Sequence, residues 1–83
     1  MDNRKFVHNV VRNALFNVRK SLEDGGDWEK SIGIMYSKKT WKRIILNYEE
    51  FRDYALTKNL DVFVSRDGTR CIFFKLIKKE IWQ

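Results

Sequence analysis

The chain has 83 residues, of which 43% are hydrophobic and 14% aromatic. This composition excludes a wholly disordered protein and predicts one small globular domain. Lys and Arg number 17 against 11 Asp and Glu, so the formal net charge is +6, which favours a polyanionic partner such as nucleic acid. No apolar run approaches the ~18 residues of a membrane span, and no signal peptide is visible. We therefore expect a cytoplasmic or nucleoid-associated protein with no membrane partner.

The sequence predicts neither an enzyme nor a metalloprotein. The single cysteine, Cys71, excludes an intrachain disulfide and a multi-thiolate metal site. The single histidine, His8, has no cysteine or acid at metal-ligand spacing. The two residues are far apart in sequence and suggest no nucleophile–base pair, and no phosphate-binding glycine motif occurs. We expect no catalytic residue, metal or cofactor.

The first third of the chain fits two structures. Between residues 5 and 22, apolar side chains recur at three- and four-residue steps, which predicts an N-terminal helix over about 3–23 that ends at Gly25 and Gly26. The same stretch is rich in valine and asparagine, which are weak helix formers, so strands at 6–11 and 14–22 are the alternative. Periodicity favours the helix. Alternation of apolar residues fits a strand over 28–36, and a helix there is the alternative.

One long amphipathic helix is predicted over about 38–58, with Ser37 as its N-cap. Asn47 and Glu50 fit a capping box, which would let the helix restart there with 41–46 extended instead. The residues expected on its buried stripe recur at helical spacing. They are Trp41, Ile44, Ile45, Tyr48, Phe51, Ala55 and Leu56.

A C-terminal β-hairpin is predicted over 61–77. Asp67 and Gly68 form a strong two-residue turn signal between two runs rich in β-branched and aromatic residues. Such a turn would pair Arg66 with Thr69 and Val64 with Cys71. Arg66 and Arg70 would then flank the tip of the hairpin.

Seven residues between Val18 and Trp41 match, in order and position, a pattern known from one protein family. They are Arg19, Gly26, Trp28, Gly33, Ile34, Ser37 and Trp41. This run resembles the positive-cofactor-four family of transcriptional coactivators, small dimers that bind single-stranded DNA through a curved antiparallel sheet backed by one long helix. With a strand at 6–11, the resemblance covers about residues 5–58. It implies strands over 5–22, a DNA contact at Arg19, and single strands favoured over duplex. The sequence departs from the family where Ile32 replaces a lysine and Leu22 replaces a base-stacking aromatic residue.

The predicted fold class is α+β, with an antiparallel sheet packed against the helix at about 38–58 and followed by the hairpin at 61–77. The alternative is a winged helix that begins with a helix over 3–23 and uses the hairpin as its wing. In that alternative, residues 37–44 resemble the opening of a recognition helix.

The candidate nucleic-acid contacts are basic side chains whose position local helix stability does not explain. Lys38 and Lys39 oppose the helix dipole at a helix N-terminus, and neither has an acid three or four residues further on. Phosphate contact accounts for such a cluster. Phe16 is either an exposed stacking or dimer residue or packs under helix 38–58, and Trp28 is the second stacking candidate. The full set of predicted contacts is Arg12, Arg19, Lys20, Lys30, Lys38, Lys39, Lys42, Arg43, Arg66 and Arg70.

We therefore expect residues 1–83 to form one nucleic-acid-binding domain that dimerises, and that binds single-stranded DNA or regulates transcription. A winged-helix regulator that binds duplex DNA is one alternative. Another is a small viral inhibitor that binds a host protein inside the host cell. The abundance of Lys, Ile and Asn and the lack of proline are typical of an AT-rich genome and favour a virus.

Overall fold

The computed structural model describes residues 3–79 and contains three helices and three strands. Their order is α1 (Asn3–Glu23), β1 (Ile32–Met35), α2 (Lys38–Leu46), α3 (Tyr48–Thr57), β2 (Leu60–Val64) and β3 (Cys71–Leu76). The strands form one antiparallel sheet in the order β1–β3–β2. The fold is therefore α+β, with one long N-terminal helix and a three-stranded antiparallel sheet.

Helix α1 confirms the prediction from periodicity, and the strands that the family resemblance implied over 5–22 are wrong. Burial of one continuous apolar stripe outweighs the weak helix propensity of valine and asparagine. The stripe consists of Val7, Val10, Val11, Ala14, Leu15 and Val18. The predicted terminator is also present, because Gly25 adopts a φ of 91° and the Gly26 amide donates to the Ser21 carbonyl at 2.9 Å.

The single helix predicted over 38–58 is wrong, because the chain forms two helices that meet at Asn47. The Asn47 side-chain amide donates to the Arg43 carbonyl at 2.9 Å, which competes with regular helical hydrogen bonding. The predicted N-cap at Ser37 is confirmed, since its hydroxyl accepts from the Thr40 amide at 3.2 Å. The capping box at Asn47 does not form, and residues 41–46 are helical rather than extended.

The C-terminal hairpin is present, but its predicted two-residue turn and register are wrong. Strand β2 pairs with β3 so that Val64 lies opposite Ile72, one residue away from the predicted partner. A six-residue connection, 65–70, replaces the tight turn. Within it the Asp67 carboxylate accepts from the amide and hydroxyl of Thr69, at 3.1 and 2.7 Å. These hydrogen bonds, led by the one from the hydroxyl, lower the pKa of Asp67.

The core lies between the helices and one face of the sheet. Phe51 of α3 is fully buried, and its ring meets that of Phe74 edge-on at 6.1 Å between centroids. Ile44 is the one fully buried side chain of α2. Trp28 and Trp41 are half-buried and pack against the margin of this core, so Trp41 is less deeply buried than its position on the predicted stripe indicated.

Candidate nucleic-acid interface

Three lysines point outward from α2. Helical spacing directs Ile44 into the core and places Lys38, Lys39 and Lys42 on the exposed face. Within residues 3–79, none of these three ammonium groups makes an ion pair or a side-chain hydrogen bond. Three positive charges therefore share one face of a short helix without a counter-charge among the described residues.

Arg70 joins this face from the connection between β2 and β3. The Tyr36 amide donates to the Arg70 carbonyl at 3.0 Å, and the Arg70 Nε donates back to the Tyr36 carbonyl at 3.0 Å. Tyr36 immediately precedes Ser37, the N-cap of α2. The structure thus brings the Arg70 guanidinium to the N-terminal end of α2, although the two lie more than thirty residues apart in sequence.

Arg66, in the same connection, borders the other end of α2. It lines a shallow groove together with Ile45, Tyr48 and residues 62–64 of β2. Because Ile45 lies one turn beyond Lys42, the two arginines flank α2 at its two ends. We call Lys38, Lys39, Lys42, Arg66 and Arg70 the α2 basic surface.

Arg43 stands apart from the α2 basic surface, although it was predicted with the lysines. Its guanidinium carbon lies 4.0 Å from the centroid of the Phe6 ring, and its Nη2 donates to Asn3 Oδ1 at 3.3 Å. The side chain is half-buried. Arg43 therefore connects α2 to the N-terminal end of α1. Because its partners are far away in the sequence, the residues around Arg43 gave no indication of this contact.

A second basic surface lies on α1, opposite its buried stripe. Phe16 is 66% exposed there, which rules out the predicted packing under the 38–58 region. Arg12, Arg19 and Lys20 occupy positions four residues before and three and four residues after it. Arg12 Nε donates to the Tyr54 hydroxyl at 3.3 Å, and this hydrogen bond is the main cause of a lowered Tyr54 pKa. We call Arg12, Phe16, Arg19 and Lys20 the α1 basic face.

The two remaining candidates lie between α1 and β1. Trp28 packs part of its ring against the core, and the Lys30 amide donates to the Asp27 carbonyl at 3.1 Å in the same turn. The Lys30 side chain is exposed. Among residues 3–79, no hydrogen bond or ion pair links either side chain to the α2 basic surface.

Sequence analysis missed an apolar patch at the corner between α2 and α3. At this corner Leu46 is 79% exposed, and Ile45, which was predicted on the buried stripe, is 41% exposed. Leu56, also predicted on that stripe, lies near the other end of α3 and is 45% exposed. The break at Asn47 changes which side of each helix faces the core. Ile44, Ile45 and Leu46 are consecutive, and three consecutive helical residues cannot share one face, which was the available signal.

The described residues contain no cluster of three or more His, Cys, Asp or Glu side chains that could hold a metal ion. None of the helices within 3–79 is both long and apolar enough to cross a bilayer. No family model, curated protein or solved structure matches this chain.

Proposed function

We propose that this protein binds nucleic acid through the α2 basic surface and acts in transcription or another use of the genome. The observation that carries the proposal is the group of three outward lysines without a counter-charge in the described chain, with Arg70 held beside them. Like charges one turn apart, close to a helix N-terminus, oppose helix stability. A phosphate backbone supplies the missing negative charge.

The connectivity supports duplex DNA as the ligand rather than single strands. A helix, a strand, two helices and a hairpin, with the sheet order β1–β3–β2, follow in the order expected for the winged-helix alternative, and this order supports a winged-helix protein. In this proposal the connection at 65–70 acts as the wing. The single-strand preference came from the family resemblance, whose binding sheet needs strands over 5–22, and that segment is α1.

The charge of α3 favours a docking mode in which α2 and the wing contact the phosphates. The outward face of α3 combines Glu49 and Asp53 with Arg52 and Leu56, and carboxylates are repelled by a phosphate backbone. Phosphate contacts position a protein on DNA without reading its sequence. We therefore propose binding that depends strongly on salt and weakly on base sequence.

The test is a fluorescence titration of duplex and single-stranded oligonucleotides at several salt concentrations. Changing Lys38, Lys39 and Lys42 together to Gln should reduce the slope of log affinity against log salt by roughly 0.9 per lost duplex contact. The matched control changes Lys58, Lys78 and Lys79 to Gln. It removes the same charge at the opposite end of the hairpin, and its slope should stay close to that of the wild type.

Two results would contradict this proposal. Failure to bind either oligonucleotide near ~50 mM salt, where electrostatic contacts are strong, would remove nucleic-acid binding altogether. An equal loss of slope in both triple variants would show that net charge, and not the α2 basic surface, accounts for the binding. A higher affinity for the single-stranded oligonucleotide would contradict only the choice of duplex DNA and would favour single-stranded DNA, the ligand that the family resemblance implied.

Protein binding is a second candidate, and the exposed apolar corner favours it. Leu46 and Ile45 continue the outward face of α2 beyond Lys42, so one face presents lysines at one end and apolar side chains at the other. An inhibitor could use this face against an acidic surface of a host protein. Absence of oligonucleotide binding, together with normal folding of the Leu46→Ser variant, would favour this second function.

A further inference from the structure

The outer face of the sheet is apolar and lies opposite the helices. Alternation along β3 buries Ile72, Phe74 and Leu76 on the inner face and directs Phe73 outward. Phe73 is 38% exposed, and Phe63 on β2 is 50% exposed. The helices that the structure describes pack on the inner face. Phe73 lies on the middle strand of the outer face, and Phe63, on the edge strand β2, also borders the groove beside Ile45 and Tyr48.

Gly33 shapes this outer face by lying in the same cross-strand row as both phenylalanines. Phe73 pairs with Gly33 on one side and with Phe63 on the other. A Cβ at Gly33 would come within 3.0 Å of both Phe73 Cε1 and Cys71 Sγ. Because Gly33 has no side chain, the Phe73 ring can lie over it. No side chain at Gly33 therefore projects from this cross-strand row. Met35, which is 69% exposed, extends the apolar surface along β1.

The adjoining row carries one charge of each sign. Asp61 on β2 lies opposite Lys75 on β3, and both are half-buried. Asp61 Oδ1 accepts from the Val62 amide at 3.0 Å, and the Lys75 ammonium makes no ion pair with a residue in 3–79. The charges of the sheet residues on this face therefore cancel, although the whole protein has a net charge of +6. Electrostatic repulsion between two copies is smallest when they meet through these neutral faces.

We propose that a second copy of this chain packs on the outer face, sheet against sheet, and that the protein is a homodimer. A two-fold axis that runs parallel to the strands, midway between β2 and β3, places Phe63 against Phe73 of the partner subunit. The same axis places Asp61 against Lys75 of the partner subunit. The row of opposite charges is then self-complementary, as a two-fold interface requires. This proposal is independent of nucleic-acid binding.

Sedimentation equilibrium of the full chain at micromolar concentrations, without nucleic acid, tests the dimer. The wild type should sediment at twice the 10.1 kDa of one chain. Phe63→Lys should give the monomer, and its thermal melting shows whether it folds. Phe16→Lys is the control, since it also replaces an exposed phenylalanine but lies on α1. A wild-type monomer, or a Phe63→Lys variant that still dimerises, would overturn the proposal.

A charge-exchange experiment tests the orientation. Asp61→Lys alone and Lys75→Asp alone each put like charges across the interface and should each lose the dimer. Mixing the two variants should restore a dimer that contains one chain of each variant. In that heterodimer, the two positive side chains of the Asp61→Lys chain face the two negative side chains of the Lys75→Asp chain. Within each chain the pair stays like-charged, so recovery cannot come from an intrachain contact. A mixture that stays monomeric would overturn this arrangement.

Discussion

The side-chain amide of Asn59 pairs with the backbone of Lys78 at the end of the hairpin opposite the 65–70 connection. Asn59 Nδ2 donates to the Lys78 carbonyl at 2.7 Å, and Oδ1 accepts from the Lys78 amide at 3.2 Å. The Asn59 carbonyl also accepts from the Ile77 amide at 3.0 Å. Asn59 adopts a φ of 64° between α3 and β2. One residue therefore makes the turn from helix to strand and extends the pairing with β3.

Substitutions at Asn59 should separate its hydrogen bonds from its backbone conformation. Asn59→Gly keeps the left-handed conformation accessible and loses two hydrogen bonds, so we expect unfolding free energy to fall by about 1–3 kcal/mol. Asn59→Ala should cost about 1 kcal/mol more, since a Cβ is disfavoured at this φ. Urea denaturation measures both. Equal stability of the two variants would contradict the role assigned to the backbone conformation.

Arg43 and Lys42 should behave differently despite being neighbours. Arg43→Ala removes the contact with the Phe6 ring and the hydrogen bond to Asn3, so we expect the unfolding free energy to fall by about 1–2 kcal/mol. Lys42→Ala is the matched variant and should change stability by less than about 0.5 kcal/mol. Chemical denaturation together with the salt titration checks this. Our assignment is wrong if Arg43→Ala leaves stability intact and weakens binding instead.

The sequence predicts the helices and strands better than the connections between them. Helix α1 was predictable because one uninterrupted stripe of buried residues repeats along most of its length. The hairpin register was not, because it depends on how Asp67 and Thr69 bond within the connection and on the φ of 54° at Arg70. Arg70 also bonds to Tyr36, far away in the sequence. Local turn statistics contain none of these contacts.

The candidate site was predictable in composition and less so in arrangement. The outward lysines of α2 follow from helical spacing alone. The separation of Arg43 from them follows from a tertiary contact with Phe6, and the exposure of Leu46 follows from the break at Asn47. The family resemblance rested on residue types at matching positions. The segment that it assigned to strands forms a helix instead, because a helix buries the apolar residues of that segment along one face.

Replacing Phe16 should test whether the α1 basic face contributes to binding. At 66% exposure the ring adds little to the core, so Phe16→Ser should change the unfolding free energy by less than about 0.5 kcal/mol. We expect duplex affinity to be unchanged. A loss of single-strand affinity by about 1–3 kcal/mol, the value of one stacked base, would identify Phe16 as a stacking residue and contradict our choice of α2.

Tyr36 should make the fold sensitive to alkaline pH. Burial raises the pKa of Tyr36 from 10.0 to about 12, and the electrostatic effect of the nearby Cys71 adds to the rise. The folded state thus holds the phenolic proton after the unfolded chain releases it. This contribution is fully present below pH 10.0 and is lost as the pH rises towards about 12.

Thermal melting of Tyr36→Phe across this interval should show a smaller loss of stability with pH than the wild type. Tyr54→Phe is the control, since Arg12 lowers the pKa of Tyr54 below 10.0 and its contribution has the opposite sign. The variant Tyr54→Phe should therefore lose stability with pH at least as steeply as the wild type. Identical profiles for the wild type and Tyr36→Phe would contradict the effect of burial.

Helix α2 carries most of the proposed ligand surface but contributes few side chains to the core. It has nine residues and one fully buried side chain, whereas α1 has six buried residues. Isolated helices shorter than about 12–15 residues are marginal in water, so α2 should open locally at a lower free energy than the whole domain. Its amides should exchange with deuterium before those of α1. A polyanion that holds the lysines of α2 should slow exchange there first, which would reveal binding as an ordering of this one helix.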